Sequence, residues 1–340
     1  YLSVNPKHTT TYQAYVPIMT GCDNFCSYCV VPYARGREIS RPANEIIKEV
    51  KSLVKKGYKH IILLGQNVNS YKNKIKRGPT SLGRFSRERS NLYAPISFSQ
   101  LLKKINSIPG HFWISFVSNH PKDVTDEMIK TVAQCKKVCE YFHLPLQSGN
   151  DGILKKMNRE YTAKQYLNTV KNIKAAFEKH KPNNLYAITS DIIVGFPGET
   201  KKQFLDSAKI MEKVKYDMVY FGQFSPRPGT AAWNMKDNVS KAEKVRREKY
   251  LNDILKKTTF ANNKKYVGKV LEVLIKKQVD PKAKLKEDSL SFALGNMLYF
   301  GKTRTMKNVK FLSDRNNLVG KFVKVNIIKA NIWNLEAKLS

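Results

Sequence analysis

Up to about residue 258, hydrophobic positions fall into two alternating patterns. Runs of consecutive apolar residues suit strands buried on both faces. Stretches with apolar residues every three or four positions suit amphipathic helices. The strand-like runs are 14–19, 60–64, 112–117, 141–146, 187–194 and 218–224. The segment from Pro42 to Lys56 predicts a helix with Ile46, Ile47, Val50, Leu53 and Val54 on its apolar face and Gly57 as its stop. Ser97 with Gln100, Thr162 with Gln165, and Thr200 with Gln203 have capping-box spacing. Thr125 opens a further helix with Asp126 and Glu127 in its first turn, and Ser240 with Glu243 opens a last one rich in lysine and arginine. Six strands alternating with helices imply a parallel sheet with right-handed crossovers, two units short of an eight-fold barrel. In barrels of this kind chemistry belongs at the C-terminal ends of the strands.

Past residue 260 the helical period disappears. Short β-type runs at 270–276, 298–301, 308–311, 322–328 and 332–337 follow one another, which predicts a small antiparallel barrel. The expected organisation is a polar linker over 1–12, an α/β core over 8–258 and a β module over 259–338. Residues 71–95 read as a long basic insertion with Lys72, Lys74, Lys76, Arg77, Arg84, Arg87 and Arg89. It suits either contact with RNA phosphates or a solvated loop.

Composition adds a partner class. Of 340 residues, 61 are Lys or Arg against 27 Asp or Glu, a formal net charge of +34. That favours a polyanion, most simply nucleic acid, although an even spread of lysine also suits a solvated surface. No apolar run reaches the roughly 20 residues of a membrane span, so no membrane partner is expected. Clustered cysteines without an even-numbered framework suit a reducing compartment, and a cytoplasmic location is expected.

The chemistry concentrates in Ile18–Pro42, IMTGCDNFCSYCVVPYARGREISRP, where Cys22, Cys26 and Cys29 have the spacing C-x3-C-x2-C. Thiolates suit iron–sulfur clusters or zinc. No fourth local ligand is present, and a cubane held by three cysteines keeps one iron open to substrate. Inert thiols, or zinc completed by a distant histidine, are the alternatives. Cys135 and Cys139, four apart, read as core thiols that share a face if the helix before them continues.

C-x3-C-x2-C with Tyr28 before the last cysteine resembles the radical S-adenosylmethionine superfamily. The flank VVPYARGREISRP and LLGQNVNSY at 63–71 narrow the likeness to the methylthiotransferases, in particular the MiaB branch, and it runs over nearly the whole chain. The resemblance implies a partial (β/α)6 barrel holding a [4Fe–4S] cluster with one open iron, to which S-adenosylmethionine binds and is reductively cleaved. It implies methylthiolation at C2 of N6-isopentenyladenosine beside the anticodon. It also implies a tRNA anticodon stem-loop as partner, an electron donor of flavodoxin or ferredoxin type, and a monomer. The family's N-terminal domain with its auxiliary cluster is expected only in the full-length protein, so sulfur insertion is expected to fail in this chain. The alternatives are the sister reaction on threonylcarbamoyladenosine, and a non-catalytic metal-containing RNA-binding protein.

For the cofactor, the resemblance points to residues at strand ends: Gly65, Gln66 and Asn67, then Ser118, Gln147, Ser148, Asp191 and Arg227, with Tyr28 in the loop. The second strand ends in GQN, not the commoner GGE-like form, so amides or backbone would meet the cofactor's amino group. His143 could face the barrel interior, with a satisfied core histidine as the preferred reading. GKTRTMKNVKF resembles part of the TRAM domain, an OB-like RNA-binding module. Lys302, Arg304, Lys307 and Lys310 are its expected RNA contacts.

Overall fold

A computed structural model describes residues 8–73, 95–279 and 297–340. Most of the basic insertion therefore lies outside the described residues, as do the first seven residues of the expected linker.

Strands β1 (Gln13–Pro17), β4 (His60–Leu64) and β5 (Trp113–Phe116) form one parallel sheet. Strands β6 (Tyr141–His143), β7 (Ala187–Val194) and β8 (Met218–Gln223) form a second. A parallel bridge from Ile114 to Val138 links them, so the six expected strands follow one another round a partial barrel. Among the described residues no strand pairs β1 with β8, so the barrel they form is open on that side. A two-stranded hairpin, β2 (Met19–Thr20) with β3 (Ile39–Ser40), ties down the cysteine loop.

Helices α2 (Ala43–Lys55), α3 (Phe98–Asn106), α4 (Asp126–Gln134), α6 (Ala163–His180), α7 (Lys201–Val214) and α8 (Lys241–Lys264) cover the outside. Short helices α1 (Val31–Arg35) and α5 (Asp151–Lys156) sit in the loops. Alternation along the strands explains the two faces. Ala14, Val16, Ile61 and Leu63 join the apolar core, whereas His60, Ser115, Tyr141, His143, Thr189 and Asp191 form a polar lumen. The three expected capping boxes at Ser97, Thr162 and Thr200 are all formed. Ser240 also accepts from the backbone of Glu243, but the Glu243 side chain turns to Arg246 and Arg247.

Three expectations change. The run 141–146 is strand only to His143: Leu144 N still donates to Thr189 O, but Pro145 has no N–H to continue the ladder, and Leu144 and Leu146 join the core. Helix α4 stops at Gln134, so Cys135 and Cys139 share no helical face, although both are buried. Helix α8 continues to Lys264, past the expected boundary at 258.

The C-terminal module is a closed five-stranded barrel of β9 (Val270–Val279), β10 (Met297–Thr303), β11 (Asn308–Ser313), β12 (Phe322–Ala330) and β13 (Leu335–Leu339), in the order β10-β11-β13-β12-β9. It is not wholly antiparallel, since β11 and β13 pair in parallel. It seats on the N-terminal ends of the core strands, opposite the cysteine loop. The Phe322 ring packs tilted against Trp113, with ring centroids 4.7 Å apart, and the Trp113 indole donates to Glu272 at 3.1 Å. Tyr12, expected as linker, donates its hydroxyl to Lys276 O of the module.

This seam absorbs cations that the sequence assigns to RNA. Arg304 donates to both oxygens of Glu140, and Lys307 Nζ lies 2.8 Å from Asp217 Oδ1. Lys310 pairs with Glu336 at 3.1 Å, and Lys302 donates to Met306 O within the module. A sequence shows a cluster of cations but not the carboxylates that the fold brings opposite them.

Candidate active site

The cysteine loop leaves β2 at the C-terminal rim of the barrel. Gly21 there has φ +75°, and a Cβ would lie 2.1 Å from Arg37 O, so only glycine lets the two legs of the loop meet. Cys22 N then donates to Gly36 O, and Cys29 N to Cys26 O. Asn158, at the end of α5, donates to Asn24 O and Phe25 O and clamps the loop from outside. Phe25, Asn158, Ser118 and Gln147 all hold positive φ. Such backbone strain collects where a site must be held in shape.

The three thiols are close enough to influence one another. Burial pushes the Cys22 and Cys29 thiols above their ordinary value. Asn24 opposes this at Cys22, and Val31 N–H, Arg227 and Arg159 oppose it at Cys29. Asn24 donates to Cys22 Sγ at 3.4 Å. No closed set of three or more metal-ligating side chains is formed among the described residues. Three soft donors on one loop, with no fourth ligand beside them, still fit a cluster that keeps one iron open.

The rim residues divide into two groups. Gln66 Oε1 and Asn67 Oδ1, with Asn119 Oδ1 from the next strand end, are buried acceptors without a partner among the described residues. A buried orphan acceptor costs free energy unless a ligand donor meets it. An ammonium group is such a donor, so amide contact with the cofactor's amino group fits here. Gly65 has a packing role, since a Cβ would strike the Met19 side chain at 2.4 Å. Ser118 O accepts from Val68 N, and Gln147 N donates to Asp191 O. Ser148 is fully buried and its hydroxyl accepts from Asn150 N, which makes it a loop support. Tyr28 packs against Ile153, Met157, Phe196 and Phe224 beneath the loop. Arg227 is exposed beyond β8 and acts electrostatically on Cys29.

His143 does face the lumen. Its Nδ1 is 2.9 Å from Thr189 Oγ1 and its Nε2 3.3 Å from Asp191 Oδ2, and Thr189 donates on to Tyr141. Asp191 is thus the upper end of a polar chain inside the barrel.

Sequence reasoning missed Arg159. It is buried, with Nη1 3.4 Å from Cys26 Sγ, Nη2 donating to Pro145 O and Nε donating to Tyr161. No carboxylate pairs with it among the described residues. A buried guanidinium without a carboxylate needs another anion, and a cluster held by Cys26 and its neighbours would supply one beside it. Its only sequence signal is one arginine in MNREYT, outside any periodic face. Arg159→Met is expected to leave the metal-free protein as stable as before or more so. In reconstituted protein it is expected to lower the cluster's reduction potential by on the order of 100 mV, for a unit charge a few ångströms away at an effective dielectric of about 20. Anaerobic potentiometry with a melting curve checks both, and an unchanged potential would remove Arg159 from the site.

The Radical SAM superfamily model matches residues 16–211, more than half of the chain. The chain belongs to the radical SAM superfamily. Three curated relatives bear the name tRNA-2-methylthio-N(6)-dimethylallyladenosine synthase. The protein from Clostridium botulinum is 42% identical over 323 residues, 95% of this chain and 64% of that protein. The one from Clostridium tetani is 41% identical over 337 residues, 99% of this chain and 66% of its own length. The one from Thermoanaerobacter pseudethanolicus is 40% identical over 333 residues, covering 98% and 63%. The chain thus spans about two thirds of the length of these relatives. In this radical SAM chain the superfamily match covers the end of β1, the cysteine loop and strands β4 to β7.

Proposed function

We propose that this chain is the radical core and RNA-contacting part of a tRNA methylthiotransferase acting at C2 of N6-isopentenyladenosine beside the anticodon. The observation that carries the reading is the cysteine triad at the open rim of the barrel, with orphan acceptors at the next two strand ends. The names of the relatives supply the substrate.

Cys22, Cys26 and Cys29 would hold the cluster. Gln66, Asn67 and Asn119 would accept from the amino group of S-adenosylmethionine, with Ser118, Gln147, Asp191 and Arg227 completing the wall around it and Tyr28, Gly65 and Ser148 supporting that wall from behind. Together these cofactors supply the one-electron chemistry needed at an unactivated aromatic carbon, which acid–base side chains cannot. The chain's own part is to bind, orient and shield. Arg159 balances charge beside Cys26, and the loop clamp at Asn158 fixes the rim. The open side between β1 and β8 admits a base. An external one-electron donor and, in the whole protein, a sulfur source are required. No helix among the described residues is long and apolar enough to cross a membrane.

Mass spectrometry of tRNA nucleosides from cells with and without the whole protein tests this. The 2-methylthio derivative of isopentenyladenosine should disappear and the unmethylthiolated nucleoside accumulate. Loss confined to the threonylcarbamoyladenosine derivative would transfer the assignment to the sister reaction.

A further inference from the structure

Below the rim, the lumen opens sideways into a cavity of about 130 Å³ between the lower half of β8 and the C-terminal module. Tyr141, Thr189 and Tyr220 line it from the barrel, and Lys302, Lys307 and Trp333 from the module. The charges at this cavity do not balance. Asp217 is fully engaged, one oxygen accepting from Ile188 N and the other 2.8 Å from Lys307 Nζ. Lys302 donates to Met306 O at 3.1 Å, and no carboxylate pairs with it among the described residues. Burial first, and Lys307 second, lower its pKa. A half-buried ammonium without a counter-ion is costly unless an anion arrives from outside. The same cavity exposes two aromatic side chains, Tyr220 at 58% and Trp333 at 40%.

We infer that one nucleotide of single-stranded RNA sits across the mouth of this side pocket, its phosphate entering toward Lys302 and its base lying outside against the exposed ring of Tyr220 or Trp333. An ammonium beside uncovered aromatic faces is the arrangement that binds single strands without reading sequence. The inference rests on the RNA substrate proposed above and adds a second contact site to it. The location suits one strand reaching both sites. Strand β8 rises about 17 Å from Met218 to Gln223. Its lower end borders the pocket, and Arg227, just beyond its upper end, acts on Cys29. RNA lying along the open side would meet pocket and rim in turn.

Binding of an isopentenylated anticodon stem-loop to the full chain, followed by anisotropy across a salt series, tests the pocket. Lys302→Met is expected to weaken binding and to flatten the slope of log affinity against log salt by about 0.7, one single-strand phosphate contact. Trp333→Ala or Tyr220→Ala is expected to weaken binding about fivefold or more with the slope unchanged. The Lys302→Met protein should melt at the same temperature or higher, since it loses a half-buried charge that no carboxylate pairs with among the described residues. A marked drop in melting temperature would make Lys302 structural and overturn the inference. Unchanged affinity and slope in Lys302→Met would overturn the phosphate contact. Wild-type affinity in both aromatic variants, or inorganic phosphate competing as well as AMP, would reduce the pocket to an anion site and overturn the nucleotide. Binding needs neither cluster nor turnover, so failure to methylthiolate would count against the proposed function and leave this result standing.

Discussion

Cys26→Ala protein is expected to take up almost no iron or sulfide on anaerobic reconstitution, where the unaltered chain takes up about four of each, the content of one cubane. Cys22→Ala and Cys29→Ala should fail in the same way. Each thiolate would hold one iron, and among the described residues no fourth ligating side chain stands beside the loop to replace it. Cys26 should be the most severe, because it is the buried member of the triad and carries the Arg159 contact. Removing it would leave that guanidinium buried with only backbone and phenol partners. Cys139→Ala is the control. Burial pushes the Cys139 thiol up to about 12, so it stays protonated and makes a poor ligand, and its loss should leave iron and sulfide unchanged. Stoichiometric zinc without sulfide in the unaltered chain would overturn the cluster.

Much of this site is legible in the sequence because its residues are local. The triad lies within eight positions, and Gly65, Gln66 and Asn67 directly follow a buried strand. Arg159 was not legible, since it meets Cys26 across 133 positions through a loop without periodicity. The strands and capping boxes were readable because each depends on neighbours two to four residues apart. The seam was not. Glu140, Asp217 and Trp113 look like ordinary strand-edge residues until the module's Arg304, Lys307 and Phe322 are brought opposite them. For the same reason a basic cluster that looked RNA-facing proved partly internal.

Glu140→Ala is expected to destabilise the chain by about 3–5 kcal/mol, the usual cost of removing one partner from a buried ion pair. For a protein of this size that lowers the melting temperature by roughly 10 °C. The Glu140 side chain is 3% exposed and holds Lys181 at 2.7 Å as well as Arg304 at 2.7 and 2.9 Å. Burial alone would raise its carboxyl, but the two cations outweigh burial and hold it below the ordinary glutamate value. Its contribution is therefore fully present above the unfolded-state value and lost as pH falls through the lower folded one. Lys276, on the same seam, acts in the opposite pH range. Burial and Lys302 lower it to about 8, so its seam position should gain stability as pH rises from about 8 toward its unfolded value. Melting curves from acid to about pH 10 should show both limbs in the unaltered chain and lose the acid limb in Glu140→Ala. The double variant Glu140→Met, Arg304→Met should recover part of the loss, because it removes two of the three buried charges together. Equal melting of all these proteins would mean that the seam is not held by this network. The same geometry decides how RNA binding must be probed. Deleting the module would uncover Trp113 and Cys139 and strip Glu140 of Arg304, so weakened binding would report a damaged barrel. Single substitutions at Lys302, Tyr220 and Trp333 leave the seam's ion pairs in place and can separate an RNA contact from a structural one.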